Sequence, residues 1–362
     1  MADQSLADFV ESVSGGSHLR VEYDFGDGFV RLHTSEAERR QAAQDIRNTE
    51  SIVLELLRNS FDAHASRMFV AMSREGDKRL LTVIDNGLGI PGSMHDHVFE
   101  PRVTSKLNTN HMDAWGMHGR GMALYSIRVN ADIARVMQSG PNLGCSIHVE
   151  TNTKKLSERS DQSSFPTFDL SENGNVNVRG PRNILRTACE FALETRDACS
   201  VYVGSPVEVA ATIYAYGMST LSTIDRVFCK DVSELPLVKR LATSPDSDTF
   251  ASLATEMGLD VSPRSARRII DGEIRELDSM LDRITIRNLG QQPSSSKTSK
   301  RRLRDDARSL KLEKEDAKLL ADSVSSAYAD IAERYYLEAD VEPTVRSGRD
   351  RITINIPIVK RP

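Results

Sequence analysis

The chain has 362 residues, of which 39% are hydrophobic and 27% are charged, and its formal net charge at pH 7 is −5. This length is sufficient for two or three domains with separate cores, and the composition excludes an intrinsically disordered chain. The mild negative charge excludes a protein that is basic throughout, so any surface that binds nucleic acid must be local.

The four cysteines are scattered along the chain and include no C-x-x-C pair. This pattern favours reduced thiols over a zinc site or a disulfide framework. The N-terminal sequence lacks the basic and apolar regions of a signal peptide, and no apolar run approaches the length of a membrane span. We therefore expect a cytoplasmic protein with no membrane partner.

Strand and helix signals alternate over the first 151 residues. The turn Gly26-Asp27-Gly28 predicts a hairpin, and Ser35 followed by Glu38 predicts a capping box at the start of one helical region extending towards residue 63. Further strands are predicted at residues 67–73, 79–84, 132–138 and 145–151.

A polar, loop-like segment at 91–117 is predicted to form a mobile cover rather than core, and a helix follows at 121–129. The resulting order is hairpin, helix, hairpin, cover, helix and hairpin. This order indicates an α+β chain built on a mixed sheet with helices on one face, and not a doubly wound parallel sheet.

The remainder of the chain is predicted to be mainly helical. Residues 154–180 are rich in Ser, Asn, Asp and Gly and indicate a domain boundary. Helical patterns at 247–257 and 263–281 have the spacing of a helix-turn-helix. The nearly identical segments Asp282–Ile286 and Asp350–Ile354 are predicted to pair as strands in a small C-terminal sheet.

The first polar cluster lies on the predicted helix before residue 63. Residues on a helix advance by about 100° each, so Glu55, Asn59 and Asp62 fall within roughly 60° of one another. Apolar residues cover the rest of the circumference, which indicates a helix that is buried on most sides. The polar stripe faces either solvent or a cavity, where a carboxylate could activate water and an amide could hold a metal.

The second cluster begins where an apolar strand ends at Asp85. Its carboxylate could accept a hydrogen bond from an adenine amino group, while Gly87 and Gly89 would let the backbone approach a base or a phosphate. A plain Asp-Asn-Gly turn is the alternative interpretation.

The third cluster places Gly116, Gly119 and Gly121 before a helix, where free backbone N–H groups and the helix dipole favour a phosphate. A glycine-rich lid with no ligand is the alternative. The sequence contains no G-x-x-x-x-G-K-[ST] motif, which excludes a Walker-type site.

Together the clusters resemble the motifs of the GHKL ATPase superfamily, whose members include gyrase B subunits, ninety-kilodalton heat-shock chaperones, MutL and histidine kinases. Glu55-x-x-x-Asn59-Ser-x-Asp62-Ala63 is similar to the N box, Asp85-Asn-Gly87-x-Gly89-Ile90 to the first glycine box, and Gly119-Arg-Gly121-x-Ala-Leu to the second. Thr104-Ser105-Lys106 and Gly119-Arg120-Gly121-Met122 are most similar to MutL and type IIB topoisomerase B subunits. The likeness covers about residues 18–151.

This resemblance implies a Bergerat-fold α/β sandwich that binds ATP and Mg²⁺ and hydrolyses ATP. It implies that Glu55 is the catalytic general base, that Asn59 ligates Mg²⁺ and that Asp85 binds adenine. The nucleotide-binding residues that it implies are Asn59, Asp62, Asp85, Gly87, Gly89, Ile90, Thr104, Ser105, Lys106, Gly116, Gly119, Arg120, Gly121 and Met122.

Two features depart from the family pattern. The last strand of the fold opens with Gly144-Cys145-Ser146, where the family usually has Gly-Thr. No second-domain lysine that would reach the terminal phosphate is identifiable.

The predicted domain organisation has five segments. They are a GHKL ATP-binding domain at 1–153, a linker at 154–181, a mainly helical domain with a helix-turn-helix at 182–288, a flexible connector at 289–300, and a charged helix with a C-terminal strand at 301–362.

The resemblance favours an ATP-gated homodimeric clamp in a DNA transaction, with DNA contacts through Arg264, Arg267 and Arg268. The alternative is a chaperone- or signalling-type ATPase that acts on a protein client. A histidine kinase is disfavoured, because no phospho-accepting helical pair precedes the N box and Glu55 stands where such kinases usually have asparagine.

Overall fold

The computed structural model describes residues 21–105, 111–113, 116–118, 121–170, 176–227, 229, 231–284 and 286–288, and part of the segment 321–357. The chain divides into two compact units, Met1–Leu289 and Gly290–Pro362. No helix within the described ranges is both long enough and apolar enough to cross a membrane.

The first unit begins with a hairpin and then alternates helices with strands. Its elements as far as residue 152 are β1 (Val21–Gly26), β2 (Phe29–Leu32), α1 (Glu36–Asp45), α2 (Thr49–Asp62), β3 (Arg67–Glu75), β4 (Lys78–Asp85), β5 (Val103–Thr104), β6 (His111–Asp113), β7 (Gly116–His118), α3 (Ala123–Asn130), β8 (Ile133–Gly140) and β9 (Gly144–Asn152).

The second half of this unit contains most of its remaining helices. Its elements are β10 (Thr167–Leu170), β11 (Val176–Arg179), α4 (Ile184–Glu194), β12 (Ser200–Gly204), α5 (Pro206–Thr220), α6 (Thr223–Val227), α7 (Ser247–Glu256), α8 (Pro263–Ile270), α9 (Met280–Arg283) and β13 (Ile286–Asn288).

Local signals in the sequence set the ends of the helices. Ser35 and Glu38 form the predicted capping box of α1. The single helical region expected after Ser35 is two helices, because the chain is extended at Ile46 and a new helix begins after Asn48, whose side chain accepts from the backbone of Ser51.

The main sheet has five strands in the order β12-β3-β4-β9-β8. The pairs formed among β3, β4, β9 and β8 are antiparallel, whereas β12 runs parallel to β3. The sheet is therefore mixed, as predicted. Its edge strand β12 lies beyond the boundary predicted at 154–181, so the same sheet continues into the segment that was expected to be a separate helical domain.

One face of the sheet packs against α2, α3 and α4. Met68, Val70, Leu81 and Val83 point to this face and join one cluster of buried side chains with the apolar side of α2. Each such side chain stabilises the fold by about 1.5–3 kcal/mol through burial. Because α2 lies against β4, its polar stripe is held next to the end of that strand.

The opposite face of the sheet is covered by α5, α7, α8 and the turn Leu237–Thr243. Phe69 and Ile84, which alternate with the residues of the first face, belong to this second cluster. Polar contacts fix the position of this second helical layer on the sheet. Thr82 Oγ1 donates to Gly258 O and Ser146 Oγ donates to Met257 O, each at 2.7 Å. The sheet therefore has helices on both faces, and the second layer comes from residues after 205.

Two segments predicted to be loops contribute to the core. The cover expected at 91–117 contains buried apolar side chains in its described part, namely Met94, Val98, Phe99 and Val103. The linker expected at 154–181 contains buried Leu156 and Phe168 and the strand β10. Scattered apolar residues without helical or strand periodicity explain why sequence patterns miss this burial.

The helix predicted at 263–281 is shorter than expected. Helix α8 ends at Ile270, because Gly272 follows with a φ of +73° and the N–H of Glu273 bonds back to Arg268 O. This is the left-handed glycine termination common at helix ends.

The predicted pairing of Asp282–Ile286 with Asp350–Ile354 is wrong. Ser279 caps the short helix α9, and β13 pairs in parallel with β10. In the second unit, β14 (Thr344–Ser347) pairs antiparallel with β15 (Ile352–Asn355). A hairpin closes a much shorter loop than a pairing across more than sixty residues, which favours the observed pairing.

The connector predicted at 289–300 lies outside the described residues, as does most of the charged helix predicted from residue 301.

Candidate functional site

A cavity of about 160 Å³ lies between α2 and the ends of β4 and β9. Most of the predicted site residues that the structure describes line this one cavity: Glu55, Asn59, Asp62, Asp85, Gly89, Ile90, Thr104, Ser105 and Gly121. The polar stripe of α2 therefore faces a cavity, and the interpretation as a solvent-exposed stripe is excluded for these residues.

Helix α2 presents Glu55 and Asn59 to the cavity one turn apart. Its opposite side is anchored by fully buried side chains, including Val53 and Leu57. This anchoring fixes the direction of the polar stripe, because a helix cannot rotate without removing those residues from the core.

Asp85, at the end of β4, has a nearly buried carboxylate held by two donors. Ser60 Oγ donates to its Oδ2 at 2.7 Å, and the backbone N–H of Gly87 donates to its Oδ1 at 2.8 Å. These two bonds orient the carboxylate, whose oxygens together have about four lone-pair sites.

The loop after Asp85 is locked against the C-terminal end of α2. Asn86 Oδ1 accepts from the backbone of Ser66 and Arg67, and the Leu88 N–H donates to Ala63 O at 2.9 Å. The loop is thus a fixed wall of the cavity and not a free turn.

Glycines are required in this wall by close backbone approaches. A Cβ on Gly87 would lie 2.6 Å from Ala63 O, and one on Gly89, whose φ is +72°, would lie 2.0 Å from Gly140 O. Gly144 has the same constraint, since a Cβ there would lie 2.2 Å from Asp85 O.

Cys145, directly after Gly144, lies beside Asp85 in the cavity wall. Burial, together with the negative charge of Asp85, raises the pKa of the Cys145 thiol, so this side chain is a neutral, weakly polar surface. Ser146 points to the opposite face of the sheet. Cys145 stands where the family pattern usually has threonine, so a thiol lies at the cavity in place of a hydroxyl.

Another side of the cavity is formed by β5 and by the hairpin of β1 and β2. Thr104 in β5 pairs with Val30 in β2, and Phe29 also lines the cavity. Gly121 has a φ of +67°, and a Cβ at this position would lie 3.2 Å from Thr104 Cβ, which is tighter than an ordinary contact. Arg102, just before β5, forms an ion pair with Glu38 of α1.

Not all predicted site residues reach the cavity or can be placed. Lys106, Gly119 and Arg120 lie outside the described residues. Gly116 belongs to the small strand β7, and Met122 is the buried N-cap of α3. Gly87 does not line the cavity, and its backbone N–H bonds Asp85 from behind the wall.

Sequence reasoning assigned no role to three residues of the site. Ser60 and Arg58 lie in the N box on either side of Asn59, and Cys145 follows the glycine of the last strand. The alternation of side chains in β9 could have identified Cys145 as the residue facing the same side as Asp85.

The residues present fit a nucleotide with a divalent cation. In the described part of the chain, Nδ2 of Asn59 is buried without a hydrogen-bond partner, so this donor could bond a phosphate oxygen while Oδ1 faces a cation. Carboxylate and amide oxygens are the ligands that Mg²⁺ prefers, alongside substrate phosphates and water. Glycine backbone in the wall leaves room for a flat base.

Comparison with known proteins shows a similarity to ATPase domains. Residues 44–158 match the family described as "Histidine kinase-, DNA gyrase B-, and HSP90-like ATPase". The chain is 34% identical over 167 residues to the DNA mismatch repair protein MutL of Chlorobium phaeobacteroides, which covers 45% of this chain and 26% of that protein. It is 35% identical over 112 residues to MutL of Lacticaseibacillus paracasei, and this alignment covers 30% of this chain and 17% of that protein.

The chain thus aligns with about a quarter or less of the length of these relatives. Among solved structures, the mycobacterial sensor histidine kinase MprB is similar, with 22% identity over 34% of this chain and 75% of that one, at a TM-score of 0.21. The fold assignment does not depend on that likeness.

Proposed function

We propose, from the premise that residues 44–158 form a GHKL ATPase domain, that the cavity binds ATP with Mg²⁺ and hydrolyses the terminal phosphate bond. The observation that carries the proposal is that Glu55 and Asp85, thirty residues apart in sequence, line the same cavity.

In this proposal Glu55 is the general base. Its carboxylate lies in the cavity wall, where it can accept a proton from the water that attacks the terminal phosphate. A positioned base of this kind contributes about 10²–10⁴-fold in rate. Arg58 Nη1, which bonds Glu55 Oε1 at 2.6 Å, holds the carboxylate in one orientation.

Asp85 is the adenine-binding residue in this proposal. Its carboxylate is oriented by Ser60 and Gly87, and the adenine amino group would be a further donor. Cys145 and Ile147 supply apolar surface beside the base.

Asn59 would hold Mg²⁺, which, when bound, neutralises negative charge on the phosphates. The phosphates are proposed to be held by the backbone around Gly121 at the start of α3, together with Lys106, Gly119 and Arg120. Positive φ at Gly121 permits the chain to pass close to Thr104 there.

The direct test is equilibrium binding and turnover on the full chain. We expect Mg²⁺-dependent binding of ATP and release of inorganic phosphate. Failure to bind ATP at millimolar concentration would reject the proposal.

We further propose that this ATPase is a homodimeric clamp in a DNA transaction. The MutL names of the relatives support this idea, and so do three exposed arginines in α8, namely Arg264, Arg267 and Arg268. Arg267 lies 3.7 Å from Asp271 and Arg268 lies 2.9 Å from Glu273, and both pairs reduce the local positive charge.

Two measurements test the clamp. Duplex DNA should stimulate hydrolysis, with binding that weakens as salt rises and on replacing Arg267 and Arg268 by alanine. A non-hydrolysable ATP analogue should double the mass in solution. The alternative is a protein client, which absence of both DNA effects would favour. The cytoplasmic location stays a prediction.

A further inference from the structure

Arg58 is a buried cation in the wall of the cavity. Its side chain is 8% exposed, and its Nη1 donates to Glu55 Oε1 at 2.6 Å, one turn away on α2. Burying an ion pair costs several kcal/mol per ion before the partners attract, and apolar residues of similar size are often as stable. A buried arginine at a cavity wall is therefore a candidate for a role in binding or catalysis.

The charges of the side chains that line the cavity indicate a role for Arg58. Of the described residues that line the cavity, Arg58 alone has a positive charge, whereas Glu55, Asp62 and Asp85 are carboxylates. This described part of the lining has a net negative charge, which by itself opposes the entry of a triphosphate. Two unit charges 4 Å apart interact by about 4 kcal/mol at the effective dielectric constant of a protein surface, so a single guanidinium has a large effect on phosphate binding.

We propose that Arg58 contacts the terminal phosphate of the bound nucleoside triphosphate while it holds the carboxylate of Glu55. This inference rests on the proposed function and adds a residue to it. The planar guanidinium has five N–H donors directed to more than one side, so it can bond a carboxylate and a phosphate at once.

The position of Arg58 on α2 makes the bridge rigid. Glu55, Arg58 and Asn59 lie within one and a half turns of a helix whose opposite side is anchored in the core. The general base, the cation for the terminal phosphate and the magnesium ligand are thus fixed relative to one another by a single element. The contact needs no residue from a second domain.

A contact with the terminal phosphate distinguishes ATP from ADP, and this gives the test. The variants are Arg58→Met, which keeps the volume without the charge, and Arg58→Lys, which keeps the charge without the fork. Arg186→Met is the control, because Arg186 bonds Glu190 on α4 at 2.8 Å, is also largely buried and is not among the cavity residues. Dissociation constants for ATP and ADP with Mg²⁺, kcat and KM are measured on the full chain.

We expect Arg58→Met to weaken ATP binding about 10- to 100-fold and ADP binding less than about threefold, since one charge-assisted hydrogen bond to the terminal phosphate is lost. Arg58→Lys should bind ATP within about threefold of wild type but lose at least about tenfold in kcat, because an ammonium cannot orient Glu55 and the phosphate together. Arg186→Met should change none of these ratios.

Equal losses of ATP and ADP affinity in Arg58→Met would overturn the inference, as would wild-type kcat in Arg58→Lys. If Arg58→Met does not fold, Arg58→Lys decides by its kcat. A wild-type chain that binds neither nucleotide rejects the proposed function itself, which is a different result from normal binding that does not depend on Arg58.

Discussion

Ser60 Oγ donates a buried 2.7 Å hydrogen bond to Asp85 Oδ2, and this bond joins the last turn of α2 to the end of β4. The two residues are twenty-five positions apart, and each lies in a different motif of the candidate site. The bond fixes the direction of the carboxylate that is proposed to bind adenine.

Ser60→Ala should therefore weaken ATP binding about 5- to 10-fold and lower the free energy of unfolding by about 1–3 kcal/mol, because a buried carboxylate loses a donor. Ser146→Ala is the control, since Ser146 is a fully buried serine on the other face of the sheet with a bond of the same length. It should reduce stability to a similar degree and leave ATP affinity near wild type. Calorimetry and equilibrium titration measure the two effects.

Glu55→Gln should bind ATP normally and lose about 10²–10⁴-fold in kcat, since the amide cannot accept the proton from water. Single-turnover hydrolysis measures this loss. Glu190→Gln is the matched control, because Glu190 has the same degree of exposure and also pairs with an arginine on its own helix. Turnover at the wild-type rate in Glu55→Gln would reject the role of Glu55 as the base.

Asp85→Asn should lose both binding and turnover, because the carboxylate is proposed to accept from the adenine amino group. Inosine triphosphate, which lacks that amino group, provides the test of mechanism. Wild type should prefer ATP by at least about tenfold, and the residual binding of Asp85→Asn at high nucleotide concentration should show no such preference. A preference that survives in the variant would place adenine recognition elsewhere.

Gly89→Ala should unfold the wall of the cavity. The added Cβ would lie 2.0 Å from Gly140 O, so the loss of stability should exceed the roughly 1–2 kcal/mol caused by a positive φ alone. Gly76→Ala, in the open turn between β3 and β4 with a φ of +59°, should show only that smaller loss. Chemical denaturation of both variants separates the clash from the backbone effect.

His148 should make stability depend on pH. Burial lowers the pKa of its imidazole, although Glu150 partly opposes this shift. The unfolded histidine titrates near pH 6.5 and binds more protons than the folded one below that value, so the stability is complete above pH 6.5 and declines as the pH falls.

The melting temperature of wild type should therefore fall more between pH 7.5 and 5.5 than that of His148→Gln. The exposed His33 serves as the control, because His33→Gln should keep the wild-type slope. Parallel slopes in wild type and His148→Gln would contradict the prediction.

Much of the site could be predicted because its geometry is local. Glu55, Asn59 and Asp62 share a stripe for the reason that helical spacing fixes their directions, and the structure places all three in the cavity wall. The turn after Asp85 was also predictable, since the turn-forming residues Asp-Asn-Gly directly follow an apolar strand. The assigned roles of these residues stay predictions until the variants are measured.

The remainder depends on contacts that have no local signature. β12 pairs with β3 across more than 120 residues, and a short apolar strand does not indicate its partner. The apolar side chains of Phe69 and Ile84 look like ordinary core in the sequence, although they face a different helical layer from their neighbours. Arg58 and Glu55 are neighbours on one helix, so their pairing is local. Their burial depends on other segments that form the cavity, which the local sequence does not indicate.

The strand β12 has a practical consequence for anyone who isolates the part of the chain that contains the cavity. A fragment cut at residue 158, where the family match ends, would keep every cavity residue but expose the backbone edge of β3 and the aromatic face around Phe69. Bare strand edges and uncovered apolar faces promote aggregation. The smallest soluble fragment should therefore extend through α9, more than one hundred residues beyond the end of the family match.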